Sequence, residues 1–152
     1  MGAPCSVTGR GKNSYKNGMT ADASFVNLTT GNTMYSEVVN GYRIVSARTD
    51  EIPEGTVVMY GQETGLSTGK IMYYGENGFY DDENGYFFQN FAVADYQSAE
   101  GDSGGPVMVF NGASNYSIIG ITAAGNDSSN TLFTPYKNIV DELGVTCIPY
   151  YS

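Results

Sequence analysis

Short apolar runs separated by Asn-Gly pairs constrain the fold of this chain more than any other feature. The runs are rich in aromatic and β-branched side chains, which suit the pleated surface of a strand. Asn40-Gly41, Asn77-Gly78, Asn84-Gly85 and Asn111-Gly112 accept the positive φ angles of tight hairpin turns. The pattern predicts an all-β meander of antiparallel strands, with the close spacing of a sandwich or barrel. The predicted strands cover residues 24–29, 42–47, 56–60, 70–74, 86–94, 106–110 and 116–124.

One helix is predicted at the C-terminal end, over residues 135–143. Thr134 is the expected cap, Pro135 suits the first helical position, and Gly144 permits the left-handed conformation that ends a helix. The apolar side chains between them share one face, so we expect the helix to pack on the outside of the strands.

Length and charge limit the classes of protein. A chain of 152 residues suffices for one domain with its own core, so we predict a single domain over residues 1–152. Acidic side chains outnumber basic ones 16 to 7, and the net charge of -9 argues against a nucleic-acid or anionic-membrane surface. No apolar run approaches the roughly 18 residues of a spanning helix. We therefore predict no nucleic-acid partner and no membrane partner.

The string EGDSGGP around Ser103 is the candidate catalytic motif. A serine hydroxyl is a weak nucleophile, so an enzyme places it near a base and beside N–H groups that receive the charge of a tetrahedral intermediate. Ser103 is the candidate nucleophile, and the N–H groups of Gly101 and Ser103 are the candidate oxyanion hole. Gly104 and Gly105 permit close approach of substrate, and a buried Asp102 would anchor the turn. The alternative is a glycine-rich hairpin that carries an incidental serine.

With this motif, the chain resembles the trypsin/chymotrypsin-like serine proteases, most closely their short bacterial secreted members, over residues 21–145. Residues 120–125, GITAAG, resemble the family's G-[IV]-x-S-x-G strand, which forms a wall of the specificity pocket and binds substrate backbone. Residues 52–58, IPEGTVV, resemble the segment that opens the second barrel, and residues 133–135, FTP, resemble the family's ending. The resemblance implies two antiparallel β-barrels with the site in the cleft between them.

Under this resemblance, the single domain contains a partial first barrel over residues 1–50 and a complete second barrel with the C-terminal helix over residues 51–152. Asp22 begins the string DASFV, which resembles the family segment whose aspartate orients the catalytic histidine. Asp22 is therefore the candidate for that role, and a turn aspartate before a strand is the alternative. The resemblance also implies a secreted protein whose signal lies outside this chain.

The catalytic histidine of the family has no counterpart, because the sequence contains no histidine. In the family it follows a T-A-x-H-C-like strand upstream of the aspartate. Residues 20–24, TADAS, could be aligned with that strand, with Ala23 in place of the histidine, but then no aspartate follows at a suitable distance. The favoured alignment expects an N-terminal segment or a second chain to supply the histidine. Lys70 and Lys137 are alternative bases, and both are expected to lie in water.

Two departures from the family concern the surroundings of the catalytic residues. Ala123 stands where the family usually has a serine that supports the catalytic aspartate. Tyr60 falls near an arginine that pairs with the buried aspartate beside the nucleophile. Arg43 and Arg48 are the nearest replacements for pairing with Asp102, and solvated charges at strand ends are the alternative. An unpaired buried Asp102 would be costly.

The family forms the floor of its primary specificity pocket from residues about six positions before the serine, which here is Gln97. A neutral amide gives no attraction for Lys or Arg, while Asp95 lies near enough to leave that possibility open. Gln97, Ala123, Ala124 and Gly125 are the candidate substrate-binding residues. A peptide or protein is the expected substrate.

Neither a cofactor nor a metal ion is predicted. Residues 81–84, DDEN, offer oxygen ligands but lack the spacing of a calcium loop, so we expect a solvated hairpin tip. Cys5 and Cys147 are the only cysteines, and they leave open one disulfide between the chain ends or two free thiols.

Two functions are consistent with the sequence. The first is part of a secreted serine endopeptidase that uses Ser103 and a histidine from elsewhere. The second is a pseudoprotease that keeps the fold as a protein-binding module. The intact serine motif favours the first, since a binding module has no chemical need for it. Completeness of the chain would favour the second, if Met1 is the true start.

Overall fold

The structure, a computed structural model, describes seven segments of the chain: residues 11–13, 20–26, 37–38, 41–76, 80–81, 85–125 and 130–144. Cys5 and Cys147 lie outside these segments, and so do residues 82–84 of the predicted hairpin tip. The predictions made for those residues are therefore not tested by the structure.

The described segments contain twelve strands and one helix. The strands are β1 (Gly11–Asn13), β2 (Ser24–Val26), β3 (Glu37–Val38), β4 (Tyr42–Ala47), β5 (Thr56–Gly61), β6 (Gly65–Glu76), β7 (Tyr80–Asp81), β8 (Tyr86–Phe87), β9 (Phe91–Ala94), β10 (Pro106–Gly112), β11 (Asn115–Gly125) and β12 (Thr131–Pro135), and the helix is α1 (Tyr136–Leu143).

Six antiparallel strands close into a barrel. The order around it is β10, β5, β6, β9, β12 and β11, and β11 pairs with β10 to complete the closure. Outside the barrel, β4 lies parallel to β11, and β3 pairs with β4. The predicted antiparallel barrel with a C-terminal helix is confirmed. The division of the domain at residue 50 stays a prediction.

Alternating side chains fill the inside of the barrel. Val57 and Met59 on β5 are fully buried, while the residue between them is less so, as expected for a strand with one face toward a core. They pack in one cluster with Ile71, Val107 and Phe133 from neighbouring strands. Burial of each such side chain contributes about 1.5–3 kcal/mol, so this cluster stabilises the barrel.

The predicted strand over residues 86–94 is wrong in its middle. The structure divides it into β8 and β9, because Asn90 has a φ of 63°, a left-handed conformation that does not continue a strand. The hairpin turn between β10 and β11 is also displaced from the predicted Asn111-Gly112 pair. Ala113 and Ser114 occupy its centre with φ angles of 49° and 63°, and Asn111 lies within β10.

The predicted helix is confirmed, but its predicted cap is wrong. Pro135 occupies the N-cap position and no side chain caps the helix, because the Thr134 hydroxyl instead accepts a hydrogen bond from the Asp22 N–H at 3.2 Å. Gly144 ends the helix with a φ of 65°, and its N–H donates to the Val140 carbonyl at 2.9 Å. Over the described part of the chain, no helix is long and apolar enough to cross a membrane.

Candidate active site

Ser103 lies on a tight turn that is hydrogen-bonded to the backbone of β11. Gly101 and Gly104 flank it with φ angles of 101° and 86°, a region that a residue without a Cβ enters at no steric cost. The Gly104 N–H donates to the Thr122 carbonyl, and the Thr122 N–H donates to the Gly105 carbonyl, each at 2.8 Å. These reciprocal bonds fix the turn, so the exposed side chain of Ser103 has a defined position.

Gly105 must be a glycine for the turn to pack. A Cβ at this position would lie 2.6 Å from the Tyr60 carbonyl oxygen and 2.9 Å from the Asp102 carbonyl oxygen. Both neighbours are backbone atoms, which cannot move aside as a flexible side chain would. The close approach of β5 to the turn therefore depends on the absence of a side chain here.

The carboxylate of Asp102 is buried and fully hydrogen-bonded. Its Oδ1 atom accepts from the N–H groups of Glu63 at 2.8 Å and Thr64 at 3.1 Å. Its Oδ2 atom accepts from the Ala99 N–H at 2.8 Å and from the Thr64 hydroxyl. None of these donors is charged, so the structure satisfies Asp102 without the cation that the sequence led us to consider.

The predicted arginine partners of Asp102 lie elsewhere. Arg48 forms an ion pair with Asp50 at the surface, and Arg43 is exposed on β4. The alternative prediction for these arginines, strand-end charges that face solvent, is the one that agrees with the structure.

The hydrogen bonds of Asp102 also control its pKa. Burial by itself would raise the pKa, but the donors from Thr64, Ala99 and Glu63 favour the ionised form more strongly and lower the pKa to about 2. Asp102 is therefore a fixed negative charge at neutral pH. It anchors the residue next to Ser103.

Two N–H groups beside the serine are not used by the rest of the fold. Among the described residues, neither the Gly101 N–H nor the Ser103 N–H donates a hydrogen bond, whereas those of Asp102, Gly104 and Gly105 all do. An N–H group without a partner at the surface can bind an incoming acceptor, such as an oxygen that gains negative charge. The structure thus leaves the two predicted oxyanion donors available.

A cavity of about 780 Å³ opens beside Ser103. The predicted substrate-binding residues Gln97, Ala123, Ala124 and Gly125 all line it. The remaining described lining residues are Thr64, Tyr96, Ser98, Ala99, Glu100, Ser103 and Thr131. Their arrangement agrees with the positions expected from the sequence, while their roles stay predictions.

The backbone of Asp22, the candidate orienting residue, is hydrogen-bonded to a residue that shortly precedes α1. Its N–H donates to the hydroxyl of Thr134, which lies opposite Ile121 in the pairing of β12 with β11. The Ser103 hydroxyl donates to the Ala123 carbonyl at 3.1 Å, two residues further along the same strand. Asp22 and Ser103 are thus attached to neighbouring positions of one strand pair.

The two candidate lysine bases do not have the burial that a lysine base requires. Lys70 is exposed on β6, and Lys137 is exposed on α1, where it pairs with Asp141. A lysine base needs a desolvated environment, which an exposed side chain does not have. Neither lysine is therefore a suitable base for Ser103.

Sequence reasoning missed three polar residues of the site. Thr64 binds Asp102, while Ser98 and Thr131 join their hydroxyl groups in the wall of the cavity at 2.9 Å. Ser98 follows Gln97 directly, so a search for hydroxyls beside the predicted pocket floor would have found it. Thr64 and Thr131 carry no local signal, because their partners are distant in sequence.

The barrel and its serine turn have the architecture of a serine protease domain. The sequence model of the trypsin family matches residues 19–142, and the chain belongs to this family. No curated protein sequence matches the chain significantly.

Solved structures of bacterial proteases share the fold. Cellulomonas bogoriensis chymotrypsin superposes with a TM-score of 0.67 and 23% identity over 84% of this chain and 69% of its own. Protease A from Thermobifida fusca gives a TM-score of 0.65 and 18% identity over 84% of this chain and 68% of its own. A glutamic acid specific serine protease, which uses a histidine triad in substrate binding, gives a TM-score of 0.63 and 19% identity over 82% and 66%. At these identities the likeness concerns the fold.

Proposed function

We propose that this domain hydrolyses peptide bonds with Ser103 as the nucleophile and with a histidine base supplied by a polypeptide segment outside these 152 residues. The observation that carries the proposal is the combination of an exposed serine on a fixed turn with two unused N–H groups beside it. A glycine-rich hairpin with an incidental serine has no reason to leave both donors free.

In the proposed mechanism, the proton of the Ser103 hydroxyl must be transferred from its present hydrogen bond to a base. The Ser103 hydroxyl donates to the Ala123 carbonyl, which accepts a hydrogen bond but is too weak a base to remove the proton. An imidazole in the cleft would take that proton while Oγ forms a bond to the carbonyl carbon of the substrate. The carbonyl oxygen becomes negatively charged and is received by the N–H groups of Gly101 and Ser103.

The second half of the reaction returns the proton. The imidazolium gives it to the leaving amine as the peptide C–N bond breaks, which leaves an acyl group on Ser103. Water then attacks the acyl group with the same imidazole as base, so that the serine is regenerated. Asp22 is the residue we assign to orient the imidazole and to stabilise its charged form.

The bound peptide is proposed to lie along β11 and to place one side chain in the cavity beside Ser103. Peptides or proteins are the substrate class of the family. Secretion belongs to the same proposal, because the resemblance is to secreted bacterial proteases. The histidine triad of the glutamic acid specific neighbour is not carried over, since this chain has no histidine.

Fluorophosphonate labelling tests the proposal, because this reagent reports an activated hydroxyl and not merely an exposed one. The chain alone should remain unlabelled at neutral pH. Addition of a polypeptide that carries a T-A-x-H-C-like strand should restore labelling if the two dock. Ser103→Ala should abolish the restored signal, while Ser114→Ala, at an exposed turn serine, should keep it.

Two results would contradict the proposal. Strong labelling of the isolated chain would show that a base is already present within it. Failure of every histidine-bearing polypeptide to restore labelling would favour the second function, a pseudoprotease that binds proteins. The absence of histidine from the sequence is the observation that supports this second function.

A further inference from the structure

A chain of hydroxyl groups in the cavity wall has a fixed direction. Oγ1 of Thr131 lies 2.9 Å from the Tyr96 carbonyl oxygen and 2.9 Å from Oγ of Ser98. A carbonyl oxygen can only accept, so the single proton of Thr131 is donated to Tyr96. The proton between Ser98 and Thr131 must then come from Ser98.

Ser98 therefore presents only lone pairs to other groups. Its one proton is committed to Thr131, which is 2% exposed and held on β12. Ser98 is half-buried and lines the cavity beside Ser103. A Cβ at Gly125 would lie 2.8 Å from Oγ of Ser98. Because glycine has no side chain, one side of this hydroxyl oxygen is left open.

The charge in the described wall of the cavity is also negative. Glu100 is the charged residue among those that line it, and it is exposed. A carboxylate side chain that entered the cavity would meet the lone pairs of Ser98 and the charge of Glu100. At Ser98 it would exchange its hydrogen bonds with water for an acceptor that offers it no proton, and the one side-chain amide among the described lining residues, that of Gln97, is exposed to solvent.

A cationic side chain is also poorly matched. Asp102 is buried and already accepts hydrogen bonds from Glu63, Thr64 and Ala99, so it has no free position for a further donor. Glu100 is exposed, and its attraction for a cation is screened by water. A neutral donor, in contrast, can bond to Ser98 without losing the hydration of a charge.

We propose that the Ser98 oxygen makes this cavity selective for a substrate side chain that ends in a neutral hydrogen-bond donor, such as the amide of glutamine, and that it rejects glutamate. This inference rests on the proposed function, since it assumes that a peptide binds beside Ser103. Ser98 is then a specificity-determining residue and Thr131 a positioning residue that fixes its proton.

Binding of short peptides to the full chain tests the inference without requiring catalysis. Four peptides that differ only in one side chain, with glutamine, glutamate, lysine or alanine, are titrated at pH 7, and the amide resonances of Ser98, Ser103 and Gly125 are followed by NMR. The glutamine peptide should bind roughly 10- to 100-fold more tightly than the isosteric glutamate peptide.

Two variants test whether the selectivity depends on the direction of the Ser98–Thr131 hydrogen bond or only on how side chains pack in the cavity. Ser98→Ala should weaken binding of the glutamine peptide and leave that of the alanine peptide unchanged. Thr131→Val removes the acceptor of the Ser98 proton, so Ser98 can donate into the cavity and the glutamate peptide should bind more tightly than to the unmodified chain. Ser114→Ala is the matched control, because its exposed hydroxyl lies in a turn outside the cavity lining.

The possible outcomes distinguish this inference from the proposed function. If no peptide shifts the resonances around Ser103, the proposed peptide site itself is wrong. If peptides bind but the glutamate or lysine peptide binds as tightly as the glutamine peptide, the inference about Ser98 is wrong and the proposed function stands. The comparison of peptides on the unmodified chain decides this even if a variant fails to fold.

Discussion

The hydroxyl of Thr64 donates a hydrogen bond to Oδ2 of Asp102, across 38 positions of the sequence. The turn between β5 and β6 also gives its backbone N–H groups to the other oxygen of the same carboxylate. Neutral donors thus stabilise a charge for which the sequence resemblance suggested an arginine. Because Asp102 precedes the nucleophile, this turn supports the backbone on which Ser103 stands.

Replacement of Thr64 by valine should destabilise the domain by about 1–3 kcal/mol, because it removes a hydrogen bond to a buried ionised group while keeping the shape of the side chain. Equilibrium unfolding in urea measures the change. Thr56→Val is the matched control on β5, which leads into the turn that carries Thr64; its side chain is exposed, and a change within about 0.5 kcal/mol is expected. Equal losses for both variants would show that the Thr64 hydroxyl has no special role.

The stability that Asp102 provides should depend on pH. Its pKa is lowered to about 2 in the folded protein, against about 3.9 for an unperturbed aspartate. A lowered pKa stabilises the folded state above the unfolded pKa, and this contribution is lost as the pH falls toward the folded pKa. The difference in unfolding free energy between the natural chain and Asp102→Asn should therefore be largest near pH 6 and shrink between about pH 4 and pH 2.

The variant Asp141→Asn controls for the many other carboxylates. Asp141 is exposed on α1 and pairs with Lys137, so its substitution should change stability by less than about 1 kcal/mol at any pH in this range. A gap between the natural chain and Asp102→Asn that stays constant from pH 6 to pH 2 would contradict the assignment of this pH dependence to Asp102.

Gly61 should tolerate no side chain, because a Cβ there would lie 2.1 Å from Oδ1 of Asp102. Gly61→Ala should destabilise by about 3 kcal/mol or more, since the carboxylate is held by its donors and cannot move away without losing them. Gly65→Ala in the same turn has a φ of 71° and open space around it, so it should cost only about 1–2 kcal/mol of backbone strain. Similar unfolding free energies for the two variants would contradict this explanation.

The elements of the fold were largely predictable because local patterns determine them. Residues 42–47 form β4 as expected, and Gly144 ends the helix as its lack of a Cβ suggested. The interruption between β8 and β9 was not predictable, since Asn90 adopts its left-handed conformation within an otherwise strand-like run. The turn predicted at the Asn111-Gly112 pair was also misplaced, because in the structure it forms at the two residues that follow the pair.

The partners in the site depend on tertiary structure and were less predictable. The motif around Ser103 marks the turn, but nothing near Asp102 in sequence points to Thr64, which reaches it only because the barrel closes. Ser98 and Thr131 are 33 positions apart and meet through the pairing of separate strands. Residue types with known local roles were therefore recognised, whereas neutral hydroxyl groups with distant partners were not.

The segment that carries Asp22 is attached to α1 by side chains whose removal should release it. Oε1 of Glu142 accepts hydrogen bonds from the Thr20 N–H at 3.2 Å and the Thr20 hydroxyl at 3.1 Å, and Asn138 donates to the Thr20 carbonyl at 2.7 Å. Glu142→Ala should therefore raise the hydrogen-exchange rates of the Thr20 and Asp22 amides by roughly tenfold, the effect of one lost hydrogen bond.

Asp141→Ala supplies the control for this last change, because residue 141 is on the same helix but is exposed and pairs only with Lys137 among the described residues. It should leave both exchange rates unchanged, and the barrel amide of Met59 should be unaffected in either variant, since its opening requires global unfolding. An equal acceleration at Met59 would mean that Glu142 stabilises the whole domain and not the segment. Unchanged rates at Thr20 and Asp22 would mean that the contacts of Glu142 do not hold Asp22 in place, and the orienting role assigned to Asp22 would then need another support.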